Sequence, residues 1–184
     1  MEFEQVLVRH GAPTLAGLKT ASMFWYSFQD LEQTCEMICQ WNGTFLQKGI
    51  RLDILKINRD RMLLYVYRET RLWKDLEQPE ARRILESCGY RLGGMREILA
   101  HLRERLQDYQ EFPHEIGLFL GYPVEDVRGF IENGGKNFCC SGCWKAYCCR
   151  QEKEKLFSRF RKCEAVYMKL FLKGRSVWQL TVAA

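Results

Sequence analysis

The chain has 184 residues, 47% of them hydrophobic and 13% aromatic, with 14 glycines and 4 prolines. Those proportions exclude a disordered, collagen-like or low-complexity chain and supply the core of a single globular domain over residues 1–184. The 28 basic residues exceed the 23 acidic ones by five; along the chain the two signs are mostly interleaved, which describes a solvated surface and argues against nucleic acid as a partner.

Phe3, Val6, Leu7 and His10 fall at helical spacing, with acids first, bases last, Gly11 after them and Pro13 beyond, so a helix ending at Gly11 is predicted. Leu18–Phe24 reads as a strand. Ser27 followed by Asp30 resembles a capping box that opens a helix carrying Leu31, Cys35, Ile38, Trp41 and Phe45 on one stripe. Ile50–Ile57 and Met62–Tyr67 are rich in β-formers and flank the polar turn Asn58-Arg59-Asp60-Arg61. They predict an antiparallel hairpin whose second strand, apolar on both faces, is central.

Helices follow over Arg71–Glu77, from Pro79 to Gly89, and along the stripe Met95, Ile98, Leu99, Leu102, Leu106 and Tyr109, with His101 off the stripe and expected to be exposed. Pro113 and Pro123 each mark the first turn of a short helix, and Asn133-Gly134-Gly135 ends the second. Trp144–Cys149 reads as a third strand, about Gln151–Leu172 as a long helix and Val177–Val182 as a terminal strand. The expected fold is α+β: a small, mainly antiparallel sheet with a central hairpin, surrounded by about six or seven helices.

Three motifs bear on chemistry. Arg9-His10-Gly11 matches the histidine-phosphatase tripeptide, but that chemistry requires it at the end of a buried strand, and its setting here has helical periodicity. Residues 115–132 have the packing pattern of a helix-turn-helix, with Ile116, Leu120 and Phe130 at core positions. The second helix carries Glu125, Asp126 and Glu132 against Arg128, whereas a phosphate-facing helix should be basic, so a compact helical hairpin is the plainer reading.

The third motif is the thiol cluster. No cationic leader opens the chain and no window approaches 18 consecutive apolar residues, so a cytoplasmic protein without membrane insertion is expected, with reduced thiols. Cys140-Ser141-Gly142-Cys143 is a C-x-x-C turn, and Cys148 follows. Thiolates suit zinc or iron, and Cys140, Cys143 and Cys148 are the candidate ligands, although no second C-x-x-C completes the set. His114-Glu115 at a helix start has the makings of a catalytic acid/base pair, and Lys19 and Lys145 those of anion-binding groups.

The run Arg9-His10-Gly11-Ala12-Pro13-Thr14-Leu15-Ala16-Gly17-Leu18-Lys19-Thr20-Ala21 resembles a bacterial domain-of-unknown-function family, number 3793, typical of clostridial and related anaerobes. Phe112-Pro113-His114-Glu115-Ile116-Gly117-Leu118-Phe119-Leu120-Gly121-Tyr122-Pro123 carries the likeness too. Glu125-Asp126-Val127, Gly129-Phe130-Ile131-Glu132-Asn133, and Gly142 with Trp144-Lys145 and Tyr147 complete it. The resemblance brings no established activity. It implies a cytoplasmic accessory or ligand-binding protein in anaerobic redox or iron metabolism, with a redox partner such as flavodoxin. Gly11 stands where the family commonly has Cys. The residues shared with the family, His10, Lys19, His114, Glu115, Asp126, Asn133, Trp144, Lys145 and Tyr147, are polar or amphipathic. They are expected to converge on one pocket formed by the loop after the first helix, the Pro113 helix start and the Trp144 segment. Two other readings stand beside that one: a small-molecule enzyme using His114 and Glu115, and a helix-turn-helix-like regulator.

Overall fold

A computed structural model of the chain describes residues 2–108 and 113–183. In chain order the described elements are α1 (Phe3–Leu15), β1 (Ala21–Ser27), α2 (Leu31–Leu46), β2 (Ile50–Asn58), β3 (Arg61–Arg68), α3 (Glu69–Leu76), α4 (Pro79–Ser87) and α5 (Met95–Asp108). There follow α6 (Ile116–Phe119), α7 (Val124–Asn133), β4 (Cys140–Ser141), β5 (Lys145–Ala146), α8 (Arg150–Leu172) and α9 (Val177–Leu180). The architecture is α+β, and the chain divides into two compact units, Met1–Arg71 with Lys162–Ala184, and Leu72–Arg161.

The first unit is built on an antiparallel sheet of order β1-β3-β2. Met62–Arg68 are buried without interruption, so β3 is the central strand that its apolar run predicts. A two-residue turn with Arg59 at φ 54° joins β2 to β3. At the sheet edge the Asn42 side-chain amide donates to the Leu52 carbonyl at 2.7 Å and accepts its N–H at 2.8 Å, which occupies backbone groups an edge strand would leave open. Phe3, Leu7, Leu15, Phe45, Leu64 and Val177 belong to one continuous apolar core.

Helix α1 runs past Gly11 and through Pro13 to Leu15, against the expected stop. Gly11–Leu15 are all buried, and the buried guanidinium of Arg68 donates to the carbonyls of Thr14 (2.8 Å) and Leu15 (2.9 Å) at the helix end. Packing and this cap outweigh the proline and glycine signals. The Arg-His-Gly string therefore lies on a helix, not at the end of a strand. Asp30, not Ser27, caps α2 by accepting the Gln33 N–H. Residues 177–180 are helical where a strand was expected, because Ser176 and Gln179 form a reciprocal capping box.

In the second unit the α5 stripe Ile98, Leu99, Leu102 and Leu106 is buried; Tyr109 lies outside the described residues. His101 is half-buried against the Tyr90 ring at 4.4 Å, with Nε2 buried, and not exposed as expected. The strand expected over Trp144–Cys149 shrinks to Lys145–Ala146, because the Tyr147 N–H donates to Asp126 and Cys149 adopts φ 51°. Among the described residues, no helix is long and apolar enough to cross a membrane.

Candidate functional site

The second unit holds a pocket of about 280 Å³ between the Pro113–Tyr122 segment, α7 and the turn joining β4 to β5. Its walls are mainly apolar, with Ile116, Val127, Phe130, Tyr122 and Trp144, and His114, Asp126, Cys143 and Lys145 also line it. Two glycines make the close packing around it feasible. A Cβ on Gly117 would stand 2.8 Å from Val127 and 3.1 Å from the Tyr122 ring, so α6 approaches α7 only without a side chain there. A Cβ on Gly129 would overlap the Tyr147 ring.

Asp126 organises the wall. Its side chain is 1% exposed, yet both oxygens are occupied. Oδ1 accepts the Tyr147 backbone N–H at 2.8 Å. Oδ2 accepts the Trp144 indole N–H at 2.8 Å and lies 3.0 Å from the Lys153 ammonium. Lys153 is itself buried and also donates to Glu125 at 3.1 Å. Burial works against its charge, but its hydrogen bonds to Asp126 and Glu125 and their negative charges prevail and hold its pKa above the ordinary lysine value. The Trp144 ring is stacked by Tyr122 at 4.5 Å and met edge-on by Phe157 at 4.6 Å, so its plane is fixed.

Lys145 donates to the Gly135 carbonyl at 2.8 Å and lies 5.8 Å from the Phe130 ring centroid. An ammonium has three donor hydrogens, so this bond orients the group without exhausting it. The His114 ring meets Phe130 edge-on at 5.3 Å.

Of the nine polar residues the sequence singles out, His114, Asp126, Trp144 and Lys145 line this pocket. Tyr147 packs over Gly129, and Asn133 donates to the Gly129 carbonyl at 2.8 Å. Burial and then the charge of Asp126 raise the pKa of the Tyr147 phenol. Glu115 turns away into an ion pair: it is 1% exposed, accepts from Arg105 with both oxygens (2.5 and 3.2 Å), and accepts the Tyr90 hydroxyl at 3.1 Å. A carboxylate so engaged is an anchor and is poorly placed to exchange protons with a ligand. His10 and Lys19 belong to the first unit and do not line the pocket; His10 is exposed and stacks on Phe24 at 5.3 Å.

The three candidate thiols sit in different surroundings. Cys140 is buried with Sγ 3.9 Å from the Arg150 carbonyl, Cys148 points its thiol towards Glu125 at 3.8 Å, and Cys143 is exposed beside the pocket. Among the described residues, no three His, Cys, Asp or Glu side chains are grouped to hold a metal. Burial, the Cys149 thiol and the charge of Asp126 push the Cys148 thiol up to about 11, which opposes thiolate formation near neutrality.

Sequence reasoning missed Tyr122, Val127, Phe130 and Lys153. The first three had the weak signal of aromatic and branched residues flanking Gly117 and Gly129. Lys153 had none, because its partner Asp126 is 27 positions away. The helix pair α6–α7 buries Gly117, Leu118, Phe119, Val127 and Gly129, while Ile116, Leu120 and Phe130 are only half-buried, a correction to the expected core positions. Arg128 is engaged by Glu80 and Glu132.

Fold and pocket together define a small α+β protein with an aromatic cleft of ligand size. The chain belongs to the family described as protein of unknown function DUF3793, whose family model matches residues 7–181. No curated protein and no solved structure matches it.

Proposed function

We propose that this chain is a small-molecule binding protein whose pocket takes a flat, largely apolar ligand bearing one anionic group. The observation that carries this reading is that two aromatic walls, Phe130 and Trp144, and the basic residue Lys145 line one cavity of about 280 Å³. That volume is just below the usual range of roughly 300–1,000 Å³ for ligand sites, which favours a compact ligand. The walls would supply desolvation, and Lys145, aided by His114 at the rim, would supply charge complementarity.

Binding is favoured over catalysis because Glu115 is committed to Arg105 and Tyr90, leaving His114 without the acid/base partner the enzyme reading requires. The aromatic walls also suit an organic ligand better than an iron ion, so the redox or iron role and a flavodoxin partner do not enter the proposal. The test is calorimetric titration with small aromatic carboxylates and their neutral amides. The carboxylates are expected to bind, and Lys145→Met to weaken them about tenfold or more while leaving the amides unchanged. Failure of every carboxylate to bind, or equal loss of acid and amide, would sink the proposal.

A further inference from the structure

The interleaving of charge that holds for most of the chain fails from the middle of its last long helix to just past the helix end. Between residues 155 and 175 there are seven basic residues and one acid, Glu164, a net +6 in a chain whose total is +5. Within the first unit, Lys162, Val166 and Lys169 recur at i, i+4 and i+7, which places them on one face over about 10 Å of helix axis, and Lys173 follows in the turn just past the helix end. All four are exposed, as are Ala165 and Leu172 beside them.

This face carries no carboxylate from Lys162 to Lys173, and among the described residues no carboxylate forms an ion pair with its lysines. It also carries apolar side chains that folding does not use: Leu172 is 69% and Val166 44% exposed, while Cys163 on the opposite side of the helix is buried. Phosphates of a nucleic acid would reward the lysines and gain nothing from an exposed leucine. An anionic bilayer rewards both, through headgroup charge and through insertion of apolar side chains at the acyl boundary.

We propose that the exposed surface from Lys162 to Lys173, the last turns of α8 and the residue after it, is a peripheral docking site for a bilayer rich in anionic phospholipid. It needs no membrane-spanning segment. The test is co-sedimentation of the full chain with vesicles of phosphatidylcholine alone and of phosphatidylcholine mixed equally with phosphatidylglycerol. Binding is expected to the mixed vesicles only, and to weaken as salt is raised. At about fivefold per lysine, the double variant Lys169→Glu, Lys173→Glu is expected to lose about 25-fold or more. The charge-neutral Leu172→Ser variant is expected to weaken vesicle binding several-fold. These positions are exposed, and circular dichroism checks that each variant is folded. Absence of binding to the mixed vesicles overturns the proposal, as does equal binding to both vesicle types. So does preferential binding of a duplex oligonucleotide that is indifferent to Leu172→Ser, which would assign the face to nucleic acid.

Discussion

Asp126 Oδ2 accepts the indole N–H of Trp144 at 2.8 Å while Oδ1 accepts the Tyr147 backbone at the same distance. One buried carboxylate on α7 therefore fixes the pocket wall that a segment 18 to 21 residues later provides. Asp126→Ala would leave the buried Lys153 with Glu125 alone. It is expected to destabilise the protein by about 3–5 kcal/mol, read by urea unfolding, with the Trp emission shifted to the red. Asp126→Asn keeps an acceptor and loses the charge, so its cost should be smaller, about 1–3 kcal/mol.

Gly129→Ala tests the contact between α7 and Tyr147. The added Cβ overlaps the ring, which has to move or push the helix away. A loss of about 1–3 kcal/mol in unfolding free energy is expected, with weaker ligand binding, because Trp144 lies three residues before Tyr147. An unchanged stability would show that the ring relaxes without resistance.

Glu115→Gln separates an anchor from a catalyst. Removing the charge opposite Arg105, whose side chain is 22% exposed and thus partly screened, should cost about 1–2 kcal/mol. A variant of native stability that had lost an activity would instead favour the acid/base role.

Alkaline pH should destabilise the protein through two buried groups. Burial and Glu164 raise the Cys163 thiol from 9.0 to about 11, so the fold favours the neutral thiol; that stability is complete below pH 9 and declines as pH rises towards 11. Lys153 is held above its ordinary 10.5 by its carboxylates, after burial is overcome, and its contribution is lost above that value. The thermal midpoint should fall steadily from pH 9 to pH 11. Cys163→Ala should flatten the first part of the decline, and a flat profile in the parent protein would contradict the assignment.

Much of the fold was legible because it depends on local patterns. The uninterrupted apolar run of Met62–Tyr67 marks a strand covered on both faces, and the period of Ile98, Leu99, Leu102 and Leu106 marks a helix with one buried side. Local signals failed where a distant group intervened. Gly11 and Pro13 should stop α1, yet Arg68 supplies the cap from β3, 53 to 54 positions away. Tyr147 sits in a strand-like stretch, yet its N–H leaves the ribbon for Asp126.

The sequence by itself determined that this is an α+β chain with a central β3, and that the Pro113 and Trp144 segments hold an unusual concentration of polar and aromatic residues. Only the tertiary structure decided which of those residues share a pocket. His114, Asp126, Trp144 and Lys145 meet there, while Glu115 is withdrawn by Arg105 and His10 stacks on Phe24. The reason is physical. Periodicity reports which way a side chain faces along its own element, but a buried charge takes whatever partner packing brings to it, and in this protein those partners, Arg105 for Glu115 and Lys153 for Asp126, come from other helices.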